Sequence, residues 1–225
     1  MNKKNSGNRE NRARITAKML LEIDAIHFNY QKPFTLTSGI KSPVYIDCRK
    51  IISYPKIRSN LIDFCADIIL EDIGLDQIDS LVGGETAGIP FAAFLSNRLD
   101  LPMHYVRKNP KGFGKDSQIE GDTIAGKKVV LIEDLTTDGG SKIKFCNALR
   151  SAGAKVENTI VIFYYNIFPS IPTKLNKIGL KLHYLASWWD ILKLFKDEGT
   201  DWSNETLSQI EQFLTAPLEW SKQNT

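Results

Sequence analysis

The sequence contains few of the residues that build metal or disulfide sites. Its 225 residues include three cysteines and three histidines, and no C-x-x-C pair is present. The histidines lack metal-ligand spacing, and three widely separated cysteines do not suit a disulfide framework. We therefore expect no zinc site, and we interpret Cys48, Cys65 and Cys146 as reduced packing residues.

Long apolar runs and a strong net charge are also absent. No run approaches the roughly 18 apolar residues of a membrane span, and the polar start, MNKKNSGNRENRAR, lacks the apolar stretch of a signal peptide. The formal net charge of +3 is too small to indicate nucleic-acid binding. These absences predict a cytoplasmic protein that binds neither membranes nor nucleic acid.

The N-terminal quarter predicts an accessory lobe made of helices and short strands. Residues 10–28 carry apolar side chains at helical spacing, and Pro55 is placed to begin a second helix. Between them, residues 34–47 are rich in strand-forming side chains around a Ser38-Gly39 turn signal, which predicts a hairpin.

The remainder of the chain predicts the core of a single α/β domain. From about residue 79 to 165, strands alternate with helices, which is typical of a central parallel sheet flanked by helices. Residues 109–126, with four glycines and mixed charge, are expected to form one long loop. We therefore assign about 10–60 to an N-terminal lobe, about 75–185 to the α/β core and about 187–225 to two C-terminal helices.

Residues 129–142, VVLIEDLTTDGGSK, contain the strongest chemical signal. Four apolar residues predict a strand buried on both faces. Glu133 and Asp134 follow at its carboxyl end, where open α/β sheets bind ligands. The next residues, TTDGGS, lead into a helix whose amides and hydroxyls can bind a phosphate, at a spacing that differs from a P-loop.

The order of these groups predicts what kind of phosphate is bound. Carboxylates that face a phosphate directly would repel it, so we expect ribose hydroxyls to lie between the acids and the phosphate. The alternative is an ordinary strand-to-helix turn with an acidic cap. The complete pattern favours a sugar-phosphate site.

This segment resembles the 13-residue phosphoribosyl pyrophosphate signature of the type I phosphoribosyltransferases. Three further stretches, residues 34–47, 83–93 and 106–121, resemble the orotate branch of that family. The resemblance covers roughly residues 20–165. It implies a type I phosphoribosyltransferase fold, with a central parallel sheet flanked by helices and an N-terminal hood over the base. It also implies transfer of a phosphoribosyl group from 5-phosphoribosyl 1-pyrophosphate (PRPP) to orotate, in pyrimidine biosynthesis.

The resemblance also implies which residues form the site. Those expected to bind PRPP are Glu85, Thr86, Arg107, Lys108, Lys111, Glu133, Asp134, Leu135, Thr136, Thr137, Asp138, Gly139, Gly140 and Ser141. Those expected to bind orotate are Thr37, Lys41, Tyr45, Thr137 and Tyr165. Of these, Lys111, Glu133 and Asp134 are expected to be catalytic. Mg²⁺ is the implied cofactor, held mainly by substrate oxygens and possibly through water by Asp134.

The cationic loop at residues 106–121 has two interpretations. It can be a solvated surface loop, or a lid whose Arg107, Lys108 and Lys111 close over the pyrophosphate and exclude water. By resemblance it is a lid that serves the partner's site in a homodimer. Phe113 stands in it where many relatives have histidine.

Two questions of specificity stay open at the level of sequence. Relatives often have an arginine beside the position of Tyr165 to hold the orotate carboxylate, and this chain has none there. Hood amides, Lys41 or Arg49 are the alternatives. A transferase for another base and a non-enzymatic PRPP-binding regulator are the alternative functions.

Overall fold

The computed structural model of the protein describes residues 3–36, 38–110, 118–200 and 202–224. Its N-terminal lobe contains two helices and four short strands. In chain order these are α1 Lys3–Glu22, β1 Ile26–Phe28, β2 Phe34–Thr35, β3 Lys41–Ser42, β4 Val44–Ile46 and, after a 3₁₀ helix at Cys48–Ser53, α2 Pro55–Ile68. The strands form two small antiparallel pairs, β1 with β4 and β2 with β3.

The lobe confirms the hairpin and the second helix but not the length of the first helix. β2 and β3 pair around the Ser38-Gly39 turn, where Gly39 has a φ of +84°. The helix predicted over residues 10–28 ends at Glu22, because Asp24 adopts a positive φ of 50°. The following residues then pair with β4 as strand β1.

The core is a six-stranded sheet with helices on its connections. Its elements are β5 Ser80–Gly84, α3 Gly88–Leu99, β6 Met103–Val106, β7 Ile119–Glu120, β8 Lys128–Thr136, α4 Gly140–Ser151, β9 Lys155–Tyr164, α5 Ser170–Lys177 and β10 Lys181–Ser187. The strand order is β10-β9-β8-β5-β6-β7, and every neighbouring pair is parallel except β6 with β7. The predicted parallel sheet is confirmed.

Two details of the core differ from the sequence prediction. The stretch expected to be one long loop contains β7, because Ile119 and Glu120 add a short antiparallel edge strand beside β6. Three helices rather than two follow the sheet: α6 Trp188–Glu198, α7 Asn204–Thr215 and α8 Pro217–Gln223. They pack with the N-terminal lobe on one face of the sheet, in a shared apolar cluster that includes Ile46, Phe163 and Phe213.

The sheet order places a binding crevice between β5 and β8. The chain runs outward from β5 to β6 in one direction and from β8 to β9 and β10 in the other, so the order reverses between these two central strands. Ligands of open α/β sheets bind at such a reversal, outside the carboxyl ends of the strands. Among the helices of the described ranges, none is long and apolar enough to cross a membrane.

Candidate active site

The loop after β5 and the loop after β8 meet at the crevice through close glycine contacts. A Cβ added to Gly84 would lie 1.9 Å from Glu133 Oε1, and one added to Gly88 would lie 2.3 Å from the Ile132 carbonyl oxygen. Because only glycine fits at these two positions, the loop after β5 lies directly against the end of β8.

The turn after β8 together with the start of α4, residues 137–141, has the geometry of an anion site. Gly139 takes a φ of +75° and α4 begins at the next residue, so the loop turns directly into a helix N-terminus. The Gly140 N–H donates to Asp138 Oδ1 at 2.9 Å, so a carboxylate of the chain itself caps one amide of this terminus. Thr137 is half-buried and Ser141 is exposed, so both can be reached by a ligand.

The two acids at the end of β8 have different environments. Adjacent residues on a strand face opposite sides of the sheet. Glu133 is buried at 6% exposure and pairs with Lys142 Nζ at 2.7 Å through Oε2. Asp134 is half-buried, and within the described ranges its carboxylate accepts hydrogen bonds from the backbone of residues 134 and 135 but from no other side chain. Asp134 is therefore the acid that remains available to a ligand, whereas Glu133 is held within the protein.

Burial raises the pKa of both acids, and the ammonium of Lys142 opposes that rise in each case. Lys108 also lowers the pKa of Glu133, and Arg49 also lowers that of Asp134. The charges of Lys142, Lys108 and Arg49 thus act on the two neighbouring acids.

Tyr45 and Arg49 of the N-terminal lobe form one hydrogen-bonded group, and Arg49 is the member whose charge acts on Asp134. Arg49 Nε donates to Asp47 Oδ1 at 2.7 Å, and its Nη2 donates to the Tyr45 hydroxyl at 3.2 Å. The Tyr45 ring stacks on Phe34 with centroids 5.4 Å apart. It also lines a cavity of about 860 Å³ between the hood and α7. Arg49 is therefore fixed in direction while its side chain stays 59% exposed.

The side chains of two other residues expected to bind orotate make contacts within the protein. Lys41 Nζ donates to Thr35 Oγ1 at 3.0 Å, and its backbone N–H donates to Ser221 Oγ in α8, so Lys41 belongs to the contact between the hood and the C-terminal helix. Tyr165 is 2% exposed and meets Trp188 edge to face in the core. Its side chain thus presents almost no surface to a ligand.

Residues 107 and 108, at the start of the cationic loop, are tied to neighbouring segments by hydrogen bonds. The Lys108 N–H donates to Glu85 Oε2 at 2.7 Å, and the Arg107 N–H donates to the Gln118 carbonyl at 2.8 Å. Arg107 also pairs with Glu120 at 3.6 Å. The Glu85 carboxylate therefore holds the backbone at Lys108. Thr86 is exposed at the crevice. Thr37, Lys111 and Phe113 lie outside the described residues.

The residues present suit a magnesium ion that takes most of its ligands from a substrate. Within the described part of the chain, no group of three His, Cys, Asp or Glu side chains could hold a metal by itself. Asp134 offers a carboxylate that is half-buried and not used by another side chain, which suits a contact through water.

The sequence interpretation did not include Lys142 in the site. This lysine lies on the face of α4 that also carries Phe145, Cys146 and Leu149, all buried. A lysine at a core position of an amphipathic helix is a signal that could have indicated a buried ion pair.

Comparison with known proteins agrees with this geometry. The family model described as phosphoribosyl transferase domain matches residues 53–183. Because that range contains the crevice strands and both loops, the fold and the match together define a phosphoribosyltransferase.

Individual relatives show which phosphoribosyltransferases the chain is similar to. The chain is 55% identical to the orotate phosphoribosyltransferase of Cereibacter sphaeroides, over 94% of this chain and 91% of the relative. It is 52% identical to that of Roseobacter denitrificans, over 94% of each chain. The crystal structure of orotate phosphoribosyltransferase from Aeropyrum pernix matches with a TM-score of 0.70 and 33% identity, over 81% of this chain and 99% of that one. This chain belongs to the orotate phosphoribosyltransferase family.

Proposed function

We infer that the chain transfers the 5-phosphoribosyl group of PRPP to orotate, giving orotidine 5′-phosphate and pyrophosphate. The observation that carries this function is the half-buried carboxylate of Asp134 next to an anion-binding helix N-terminus, at the reversal point of the sheet. A site with these two groups fits a ribose 5-phosphate, whose hydroxyls and phosphate need partners of opposite kinds.

The chain's own groups would act on the sugar and on the leaving group. Asp134 accepts hydrogen bonds from ribose hydroxyls, and the amides of residues 137–141 hold the 5-phosphate. As pyrophosphate leaves, positive charge grows on the ribose, and Arg107, Lys108 and Lys111 stabilise the departing anion. Bound Mg²⁺ would supply charge neutralisation to the pyrophosphate. Orotate has acidic ring nitrogens, so the chemistry requires little base catalysis.

We assign the orotate carboxylate to Arg49. It acts on the pKa of Asp134, which would bind the ribose, and its guanidinium is fixed by Asp47 and Tyr45. Lys41, the other side chain considered for this role, is engaged with Thr35. A guanidinium also suits a carboxylate better than an ammonium does, because it can donate two parallel hydrogen bonds.

The choice between the two cations can be measured with matched variants. We expect Arg49→Gln to raise the KM for orotate about 10-fold or more while the KM for PRPP changes little, since a charge-assisted hydrogen bond contributes about 1.5–3 kcal/mol. Lys41→Gln is the control and should leave the KM for orotate unchanged. The reverse pattern would assign the carboxylate to Lys41.

We further propose a cytoplasmic homodimer in which each lid serves the partner's site. The test is to mix two inactive variants, Lys111→Ala and Asp134→Asn. If lids are exchanged, random mixed dimers contain one intact site each, and about a quarter of the wild-type activity should return. No recovery after verified subunit exchange would place each lid over its own site.

The overall function is tested by following the loss of orotate absorbance with PRPP and Mg²⁺. Adenine, hypoxanthine and uracil serve as competing bases. Turnover with one of these bases but not with orotate would assign a different transferase. Binding of PRPP without release of pyrophosphate for any base would identify a regulator.

A further inference from the structure

Lys142 is a buried cation directly below the phosphate-binding loop. Its side chain is 2% exposed, and it occupies the first turn of α4 with Phe145 and Cys146 on the same buried face. A charge at such a depth costs several kcal/mol unless its partners compensate. The position therefore requires an explanation that packing alone does not supply, because methionine or leucine would fill the same space.

Each hydrogen of the ammonium has an acceptor, and the three acceptors come from three parts of the site. Nζ donates to Glu133 Oε2 at 2.7 Å, to the Leu135 carbonyl oxygen, and to Ser141 Oγ at 3.2 Å. Glu133 is the first of the two acids, Leu135 lies in β8 just before the phosphate-binding turn, and Ser141 lies in the first turn of α4. One side chain thus joins Glu133 to residues on both sides of the turn.

These contacts also determine what Ser141 and Glu133 can do. An ammonium only donates, so the Ser141 oxygen accepts from Lys142 and its own hydrogen is left to point to the exposed side, where a phosphate would lie. Glu133 is drawn toward α4, and its other oxygen, Oε1, lies against Gly84 at the end of β5. The ammonium therefore acts on the turn after β8 and, through Glu133, on the end of β5.

We propose that Lys142 is a positioning residue for the phosphoribosyl substrate: by joining Glu133, Leu135 and Ser141, it holds the phosphate-binding loop and the acidic pair in the arrangement that binds ribose 5-phosphate. The proposal rests on the function proposed above. It assigns Lys142 no contact with the substrate.

The test compares Lys142→Met with Lys144→Met, a control at an exposed lysine two residues further along α4. In Lys142→Met we expect the KM for PRPP to rise about 10-fold or more, because small displacements of positioning groups have effects of this size. The KM for orotate should change less than about two-fold, since the disturbance is confined to the sugar-phosphate side. A purely structural lysine would lower the amount of active enzyme, and so the apparent kcat, without changing either KM.

Two further variants complete the experiment: one that keeps the positive charge at residue 142 and one that removes both charges of the ion pair. Lys142→Arg keeps the charge and should recover part of the affinity for PRPP. If Lys142→Met does not fold, Glu133→Gln with Lys142→Met removes both buried charges. Its KM for PRPP should exceed that of Glu133→Gln alone. An unchanged KM for PRPP in Lys142→Met, or equal KM values for the double and single variants, would overturn the proposal.

Binding of ribose 5-phosphate separates this proposal from the proposed function. That ligand contains the phosphate and the ribose hydroxyls but neither pyrophosphate nor base, and its affinity is measured by calorimetric titration of the whole protein. Weaker binding to Lys142→Met than to Lys144→Met supports the positioning role even if orotate is not a substrate. Equal binding to both contradicts it even if orotate is turned over.

Discussion

Replacing Gly84 with alanine would place a methyl group in the space that the Glu133 carboxylate occupies. The new Cβ would lie 1.9 Å from Glu133 Oε1 and 2.8 Å from Phe145 Cε2, against an ordinary contact of about 3.4 Å. The carboxylate must therefore move by about 1.5 Å. Because Glu133 is buried and already in contact with Lys142, this movement disturbs the ion pair.

The cost follows from two contributions. Overpacking a dense interior costs about 1–3 kcal/mol, and weakening a hydrogen bond to a charged group adds about 1.5–3 kcal/mol. We expect Gly84→Ala to lower the free energy of unfolding by about 3–5 kcal/mol, or the Tm by roughly 6–20 °C for a chain of this size. Urea denaturation followed by circular dichroism, with thermal melting as a second measurement, gives both values.

Two further variants distinguish this explanation from a general effect of alanine. Gly7→Ala in α1 adds a Cβ that meets nothing within 4 Å, so it should stabilise the protein by up to about 1 kcal/mol. Glu133→Asp shortens the carboxylate and leaves room for the methyl group. Combined with Gly84→Ala, it should cost less than the sum of the single changes, by about 1 kcal/mol or more. Additive costs, or a Gly84→Ala protein as stable as the wild type, would refute the reasoning.

Three other predictions concern the site and the sheet. Asp134→Asn should lower orotate turnover about 100-fold or more with little change in Tm, and a wild-type rate would remove this carboxylate from the site. Asp138→Asn keeps the hydrogen bond to the Gly140 N–H but removes a negative charge from the proposed phosphate site. The KM for PRPP should therefore fall about two- to five-fold. A rise in this KM would show that the charge of Asp138 does not repel the phosphate. Burial lowers the pKa of His183 to about 4. The imidazole therefore binds a proton more weakly in the folded state than in the unfolded state. The free energy of unfolding falls as the pH drops from about 6.5 to 4. His183→Gln should therefore reduce this loss by up to about 3 kcal/mol, as measured by urea denaturation across that pH range, and an unchanged pH dependence would exclude His183 as its source.

The strand, turn and helix of residues 129–142 could be predicted from sequence because their signals are local. Four apolar residues produce the buried strand, and Gly139 allows the positive φ that turns the chain into α4. The resemblance to the orotate branch is also carried by contiguous stretches, and the comparisons confirm it. The element bounds predicted from sequence were wrong where pairing with distant residues decides them, as in β1 and β7.

The sequence by itself determined the class of the protein, the parallel sheet and the place of the turn between β8 and α4, since each depends on neighbouring residues. Only the tertiary structure decided that Glu133 is paired inside the protein with Lys142, whereas no other side chain in the described ranges is bonded to Asp134. The partner of a charged side chain is set by the packing of segments that are far apart in the chain. Because the ion pair of Glu133 and Lys142 is buried, the free-energy difference between the paired and the unpaired charge is large.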